Sequence, residues 1–172
     1  ILAIGLKKGD QLHGVELSSG GDEIILTTLN GQGIRFKESQ IRAMGRTAAG
    51  VHGLRLREKD EVSSLNIIGK GNKDARLLTV MSNGYGKQTK INDYKAQNRG
   101  GSGVKAAKIT PKTGLLMSAH LVDEETEVFA LSAKGQIIRT PLESIRHASR
   151  ATQGVRIMNL NSGDHLVGVI CL

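Results

Sequence analysis

Short apolar runs separated by turn residues recur along the whole chain, and no segment keeps the spacing of an amphipathic helix. The first clear group of runs is rich in Ile, Val, Leu and Thr and lies at Ile24–Leu29, Gly33–Lys37, Val51–Leu56 and Val62–Ile67. Runs of this composition between turn signals are typical of β-strands. The pattern therefore predicts an all-β protein, with single helical turns near residues 38–42 and 142–146.

The group of four runs is repeated, because residues 23–68, 76–122 and 127–172 align with one another. Two sets of glycines are spaced by 53 and then 51 residues: Gly31, Gly84 and Gly135 in the first set, and Gly50, Gly103 and Gly154 in the second. The first set follows Asn or Lys where a tight hairpin needs positive φ, and the second precedes the third strand, where backbones pass closely. A period near 50 residues with four strands per repeat indicates propeller blades.

The repeat also predicts the domain organisation. We expect one domain over residues 1–172, with blades at 23–75, 76–126 and 127–172. Residues 1–22 are then the tail of a preceding blade. The chain begins at Ile1 rather than Met and ends on an apolar run, so we expect a fragment of a longer protein.

The net charge of +8 is concentrated in the connectors between the second and third strands, residues 37–50, 87–103 and 139–154, which together carry +7. Equivalent positions of a repeat lie at equivalent places on each blade of the folded protein, so a stripe of cations along one rim is expected. Such a stripe favours a polyanion such as the phosphate backbone of duplex DNA. The predicted phosphate contacts are Lys37, Arg42, Arg46, Lys87, Lys90, Lys95, Arg99, Arg139, Arg146 and Arg150. Arg35, Arg55 and Arg57 lie in or just after predicted strands and are expected to be structural.

The scarcity of aromatic residues bears on which nucleic acid is bound. Only Tyr94 lies inside a basic connector, whereas single-strand binders stack successive bases on aromatic rings. Contacts to phosphates position DNA without reading its sequence. The composition therefore favours bending of duplex DNA with little base recognition.

Other classes of protein find little support. Cys171 is the only cysteine, so neither a disulfide framework nor a cysteine-based zinc site is expected. The five histidines lack metal-ligand spacing, and RGGSGVK lacks the Gly-Lys-Ser/Thr ending of a phosphate loop. No apolar run is long enough to span a membrane. We therefore predict neither a catalytic site nor a metal site nor a membrane partner.

Residues 31–56, GQGIRFKESQIRAMGRTAAGVHGLRL, resemble the family of C-terminal domains from the A protein of DNA gyrase, whose pattern there is VRFKES-x-VR-x-MGR followed by GVRGIRL. NGYGKQT at residues 83–89 is similar to that family's NGYGKRT, and IIRTPLESI and TQGVRIMNL resemble its next unit. The family's heptapeptide Q-R-R-G-G-K-G has only a weakened counterpart at residues 97–103, QNRGGSG, which lacks two cations. From it, Arg99 carries over as a phosphate contact.

The resemblance implies a β-pinwheel, a propeller-like disc whose neighbouring blades exchange a strand, here incomplete with three blades and a leading strand segment. It also implies a non-catalytic domain that wraps double-stranded DNA without sequence specificity and supports ATP-dependent negative supercoiling by the holoenzyme, a type II topoisomerase. The expected partners are the gyrase B protein and the rest of the gyrase A protein, in the bacterial cytoplasm with the nucleoid.

The resemblance places ATP and Mg elsewhere in the holoenzyme, so no cofactor is expected in this chain, which is itself expected to be monomeric. Two alternatives stay open. One is the corresponding domain of the A protein of topoisomerase IV. The other is a propeller that binds proteins, which would have an apolar or mixed-charge binding face and little dependence on salt.

Overall fold

The computed structural model describes residues 1–72 and 74–172 and contains eleven strands in that part of the chain. The strands are β1 (Glu23–Thr28), β2 (Gln32–Lys37), β3 (Val62–Ile68), β4 (Arg76–Met81), β5 (Tyr85–Lys90), β6 (Val104–Lys105), β7 (Leu116–Val122), β8 (Glu127–Ser132), β9 (Ile137–Pro141), β10 (Val155–Arg156) and β11 (Leu166–Cys171). Three 3₁₀ turns follow the hairpins, at Glu38–Gln40, Ile91–Asp93 and Leu142–Ser144. The all-β prediction and the predicted helical turns are confirmed, and no helix of the described residues is long and apolar enough to cross a membrane.

The strands form three antiparallel sheets that correspond to three blades. The first blade has the order β3-β1-β2-β6, the second β10-β5-β4-β7 and the third β11-β8-β9. Strand β6 follows the second hairpin along the chain but pairs with β2 of the first blade, and β10 likewise pairs with β5 of the second. Neighbouring blades therefore exchange a strand, as the resemblance implied, and the arrangement is an open, propeller-like one.

Two expectations about strands are wrong. Residues 51–56 form no strand, although they have the composition of one. Their counterparts Val104–Lys105 and Val155–Arg156 become strands only by pairing with the preceding blade. Residues 1–22 contain a turn but no strand, and they leave Leu2, Val15 and Leu17 exposed. A short segment gains strand geometry from the sheet edge it joins, and the described residues hold no such edge before the first blade.

The two largest clusters of buried hydrophobic residues lie between blades, whereas a smaller cluster around Ile24, Ile34 and Phe36 lies within the first blade. Side chains alternate across a strand, so Leu77 packs towards the first blade with Ile25 and Tyr94, whereas Leu78 packs towards the third blade with Val128. The second blade is therefore covered on both faces, and β4 is almost wholly buried. Burying one large aliphatic side chain contributes about 1.5–3 kcal/mol, so the packing between blades stabilises their arrangement.

The hairpin glycines have the conformation that their positions require. Gly31, Gly84 and Gly135 have φ of 77°, 81° and 83°. Gly103 and Gly154 also have positive φ, and a Cβ at either position would collide with the carbonyl group of Gly33 or Gly86 on the preceding blade. The close passage of backbones predicted for the second glycine set is confirmed at these two positions.

Candidate nucleic-acid interface

The second and third basic connectors leave their own blades and run along the preceding ones. Ala96 and Arg35 form a parallel bridge, and the Gln97 N–H donates to the Arg35 carbonyl at 2.7 Å. One unit later, His147 and Gln88 form the same bridge, and the Ala148 N–H donates to the Gln88 carbonyl at 2.9 Å. The second and third connectors are therefore held at the same place on successive blades.

The most regular cation position follows each 3₁₀ turn. Arg42, Lys95 and Arg146 occupy it, separated by 53 and 51 residues, and all three side chains are exposed. Lys37 and Lys90 form a second recurring position at the ends of β2 and β5 and are also exposed, while Pro141 takes that place in the third unit. These five predicted residues are free to face a polyanion.

A third position holds arginines that also have a structural role. Arg99 donates from Nη1 to the His52 carbonyl at 3.2 Å and from Nε to the Gln40 carbonyl at 2.9 Å. Arg150 donates from Nη1 to the Lys105 carbonyl at 3.1 Å. Both guanidinium groups are partly exposed and retain further N–H groups, whereas Arg46, the counterpart in the first unit, is exposed.

Lys87 does not belong to the surface and is removed from the predicted contacts. Its side chain is fully buried, and its Nζ donates to the carbonyls of Ser149, at 2.7 Å, and Arg150. Burial, reinforced by the Arg150 guanidinium, lowers the pKa of the Lys87 ammonium to about 7. The structure therefore gives Lys87 the role of fixing the third connector on the second blade.

Arg139 lies within β9 and forms an ion pair. Its guanidinium pairs with Glu127 at 2.6 Å and lies 5.9 Å from the centre of the Phe129 ring, and the side chain is largely exposed. The carboxylate raises the pKa of Arg139. Arg35 has the equivalent place on the first blade, where it pairs with Glu23 and donates to the Ile91 carbonyl at 2.9 Å. The prediction of a structural role for Arg35 is confirmed. Arg139 makes the equivalent ion pair on the third blade, but its side chain is much more exposed than that of Arg35.

Sequence reasoning missed cations on the exchanged strands. Lys105 and Arg156 are exposed, occupy equivalent positions on β6 and β10, and correspond to His52 in the first unit. Lys108 follows β6 and is also exposed. The spacing of 53 and 51 residues would have revealed the recurrence, but these residues lie in or next to strands rather than in the connectors.

The aromatic residues offer no platform for bases. Tyr94 is fully buried beneath Arg150, and Tyr85 is buried with its hydroxyl accepting a hydrogen bond from Arg156 at 2.8 Å. That hydrogen bond lowers the pKa of Tyr85. Among the described residues, the connectors carry cations, amides and hydroxyl groups together with the exposed carboxylates of Asp93 and Glu143. The cations, amides and hydroxyl groups suit phosphate oxygens better than base faces.

The counterpart of the heptapeptide, residues 97–103, joins two connectors. The Arg99 N–H donates to Oε1 of Gln40 at 2.8 Å, and the Gly100 N–H donates to the Gly53 carbonyl at 2.7 Å. The segment therefore links the second connector to the first. Arg99 is its one cation and is partly exposed beside this link.

Comparisons with known proteins agree with this architecture. The sequence matches the family described as "DNA gyrase C-terminal domain, beta-propeller" over residues 22–68, 76–123 and 126–172. The DNA gyrase A protein of Mycolicibacterium smegmatis (strain ATCC 700084 / mc(2)155) is 42% identical over 171 residues, which are 98% of this chain and 20% of the relative. The DNA gyrase A protein of Staphylococcus epidermidis (strain ATCC 12228 / FDA PCI 1200) is 41% identical over 163 residues, with 95% and 18% covered. The chain spans about a fifth of the length of these relatives.

Solved structures show the same fold. The C-terminal domain of DNA topoisomerase IV superposes with a TM-score of 0.91 at 24% identity, over 99% of this chain and 52% of that one. The DNA gyrase A C-terminal domain superposes with a TM-score of 0.79 at 26% identity, over 88% of this chain and 50% of that one. With its three strand-exchanging blades and its match to the family over all three repeats, the chain belongs to the β-propeller family of DNA gyrase C-terminal domains.

Proposed function

We propose that this chain binds duplex DNA on its basic connectors and bends it around successive blades. The observation that carries the proposal is the recurrence of Arg42, Lys95 and Arg146, three exposed cations at one equivalent position. Lys37 and Lys90 repeat a second position. Cations at regular intervals along one edge suit a polymer whose charges are also regularly spaced.

Phosphate contacts supply the binding energy in this mechanism. Each phosphate neutralised by Lys or Arg releases condensed counterions, so that log Kobs falls with log[salt] by about 0.9 per contact. Smooth bending of a 20–30 bp site through 40–90° costs on the order of 1–6 kcal/mol, and contacts spread over several blades offset that cost. Since phosphates carry no base identity, binding is independent of sequence.

The proposed role in the cell follows from the relatives, which are DNA gyrase A proteins about five times as long as this chain. The chain acts as a non-catalytic accessory domain that wraps DNA and supports ATP-dependent negative supercoiling by a holoenzyme in the bacterial cytoplasm. Its partners there are the gyrase B protein and the rest of the gyrase A protein. ATP and Mg²⁺ bind elsewhere in that assembly, and the chemistry of strand passage lies outside these blades.

The test is binding to a random-sequence duplex across a salt series, with single-stranded DNA as competitor. We expect a duplex preference and a log–log slope of roughly −4 to −7. The triple variant Arg42→Glu, Lys95→Glu, Arg146→Glu should lose most of the affinity for duplex, and its slope of log Kobs against log[salt] should become several units less negative. A matched triple variant outside the connectors, Arg57→Glu, Lys112→Glu, Lys134→Glu, makes the same change in net charge and should retain most of both.

Two results would contradict the proposal. Equal losses in the two triple variants would mean that net charge alone governs binding. A flat slope, or no binding to duplex, would favour a protein-binding propeller instead. Circular dichroism of both variants shows whether the fold survives the charge reversals.

A further inference from the structure

Lys87 carries a charge at a position that is apolar in the other two blades. By the repeat spacing of 53 and 51 residues, it corresponds to Ile34 and Ile138. Ile34 is fully buried, as Lys87 is, and it fills the same place on the first blade with a hydrocarbon side chain. Packing at this position therefore requires no charged group. Burying an ammonium there has an energetic cost that an isoleucine avoids.

The Lys87 amine is held by carbonyl groups of the third connector rather than by a carboxylate. Its Nζ donates to the carbonyls of Ser149, at 2.7 Å, and Arg150. No ion pair in the described part of the chain includes it. Carbonyl dipoles offset only part of the cost of burying a full charge, so burial lowers the pKa of Lys87 to about 7. Both protonation states of the amine are therefore accessible near neutral pH.

Arg150 is the charged group that acts on this amine. It belongs to the third connector, and repulsion between the two cations adds to the lowering of the Lys87 pKa. From the second connector, Tyr94 packs its buried ring 5.9 Å from the same guanidinium, and burial raises the pKa of its hydroxyl, which therefore stays neutral. From β4, the residue paired with Lys87 is Thr79, which carries no charge. Lys87 and Arg150 are thus two neighbouring cations of which one is buried.

Arg150 connects the buried amine to the surface. Its backbone carbonyl accepts from Lys87, whereas its Nη1 donates to the Lys105 carbonyl on β6, the outermost strand of the first blade, at 3.1 Å. Arg150 is partly exposed and retains N–H groups for a phosphate, and Lys105 beside it is exposed. A phosphate bound here therefore contacts the residue to which the buried amine is hydrogen-bonded.

The second connector is held on the first blade by a different kind of group. Arg35 donates from Nη1 to the carbonyls of Ile91 and Tyr94, at 2.9 and 3.2 Å, and pairs with Glu23. An arginine keeps its charge throughout the pH range in which proteins are folded. The connector on the second blade differs because one of the groups that hold it is an amine that titrates.

A bound phosphate favours the charged form of Lys87 in two ways. It brings a negative charge to Arg150, and its pairing with the guanidinium offsets the repulsion between Arg150 and Lys87. Salt screens a buried charge less than an exposed one, so this interaction persists at ionic strengths that weaken surface contacts. A ligand that raises the pKa of a group takes up protons when it binds, by the same linkage that ties protonation to folding.

We propose that duplex binding at Arg150 is coupled to the protonation of Lys87, so that the chain takes up a proton as it binds DNA. The proposal rests on the proposed function and adds a pH dependence to the same surface. The neutral amine can still donate to both carbonyls, so loss of the proton removes a charge without releasing the third connector. Lys87 is therefore a positioning residue whose charge also sets the affinity of the contact above it.

The first measurement is the affinity for a random-sequence duplex between pH 7 and 9 at constant ionic strength. A bound phosphate that raises the pKa of Lys87 by about one unit makes the affinity fall about fivefold across this range. The free chain should become more stable over the same range, because a neutral amine costs less to bury. A weakening of DNA binding through loss of structure would reverse that second trend. Fluorescence anisotropy and urea unfolding measure the two quantities.

Two variants identify the titrating group. Lys87→Met should bind the duplex with an affinity that does not change between pH 7 and 9 and that is close to the affinity of the parent chain at pH 9. His147→Gln is the control, since His147 is an exposed imidazole on the same connector, and this variant should keep the pH dependence. A dependence that Lys87→Met retains, or that His147→Gln loses, would overturn the proposal because another group would then be titrating.

Calorimetry of the parent chain counts the proton directly and needs no variant. At about pH 7.5, the heats of duplex binding in Hepes and in Tris, which differ in ionisation enthalpy, should correspond to the uptake of about half a proton per chain. No uptake, with duplex binding and its salt dependence intact, would overturn this proposal and leave the proposed function standing. Absence of duplex binding at pH 7 would overturn both.

Discussion

Arg150 donates from Nη1 to the backbone carbonyl of Lys105 at 3.1 Å and so ties the third connector to the exchanged strand β6. Arg99 makes the equivalent contact with His52 one unit earlier. A recurring cation can therefore hold the blades together and still present free N–H groups at the surface. Substitutions that change the charge and the geometry of the side chain separately can distinguish its structural role from its role in binding DNA.

Arg150→Lys keeps the charge but loses the planar fork of the guanidinium group. We expect the free energy of unfolding to fall by about 1 kcal/mol, the usual net value of one hydrogen bond, with the salt slope of duplex binding unchanged. Urea unfolding and a salt titration measure the two quantities. Arg146→Lys is the control, since Arg146 is exposed, and it should alter neither.

The three cations of the most regular position should contribute equally to DNA binding. Arg42→Gln, Lys95→Gln and Arg146→Gln, made singly, should each reduce the magnitude of the log–log salt slope by about 0.9. Lys134→Gln, outside the connectors, removes the same charge and should leave the slope within error of the parent chain. Fluorescence anisotropy with a random duplex reports all four. Markedly unequal losses would show that the DNA does not follow equivalent positions.

Lys87 should make stability depend on pH above neutrality. Its pKa is about 7 in the folded chain and near the ordinary 10.5 in the unfolded chain, so between these values only the unfolded chain keeps the proton. The free energy of unfolding should therefore rise with pH from about 7 upward, by at most about 1.4 kcal/mol per unit. Below pH 7 both states are charged and the full cost of burial is present.

Chemical denaturation between pH 7 and 9 measures this dependence. Burial lowers the pKa of His120, and its pKa in the unfolded chain is near 6.5. Titration of His120 therefore changes the free energy of unfolding only at pH values below this window. The slope should disappear in Lys87→Met and persist in Lys90→Met, which changes an exposed lysine of the same strand. A slope retained by Lys87→Met would place the titrating group elsewhere.

Gly154 and Gly50 form a matched pair for measuring the close passage of backbones. Both have positive φ, which costs an alanine about 1–2 kcal/mol. At Gly154 the added Cβ also collides with the Gly86 carbonyl, whereas at Gly50 it meets nothing within 4 Å. We expect Gly50→Ala to lower the free energy of unfolding by about 1 kcal/mol and Gly154→Ala by about 3 kcal/mol or more. Thermal unfolding compares them, and equal losses would mean that the backbone near Gly86 moves away from the added Cβ at little cost.

Local features of the fold were predictable because neighbouring residues dictate them. A glycine after Asn30 or Asn83 predicts a hairpin wherever two β-rich runs flank it, and the hairpins lie there. Because the two glycine sets have the same spacing, the chain consists of equivalent repeats. A hairpin predicted in one repeat is therefore expected at the same position in the others. The exposed cations Arg42, Lys95 and Arg146 were found in the same way, from charges at fixed positions within each unit.

The sequence by itself determined the repeat, the strand-forming runs, the hairpin glycines and the concentration of charge in the connectors, because these depend on spacing and composition alone. Only the tertiary structure decided which polar residues are covered. In β5, Lys87, Gln88 and Thr89 have the composition of a solvated strand, yet all three are buried because the third connector lies across them. It also decided that residues 104–105 become a strand while residues 51–56 do not, because strand geometry at the end of a sheet depends on the edge that receives it.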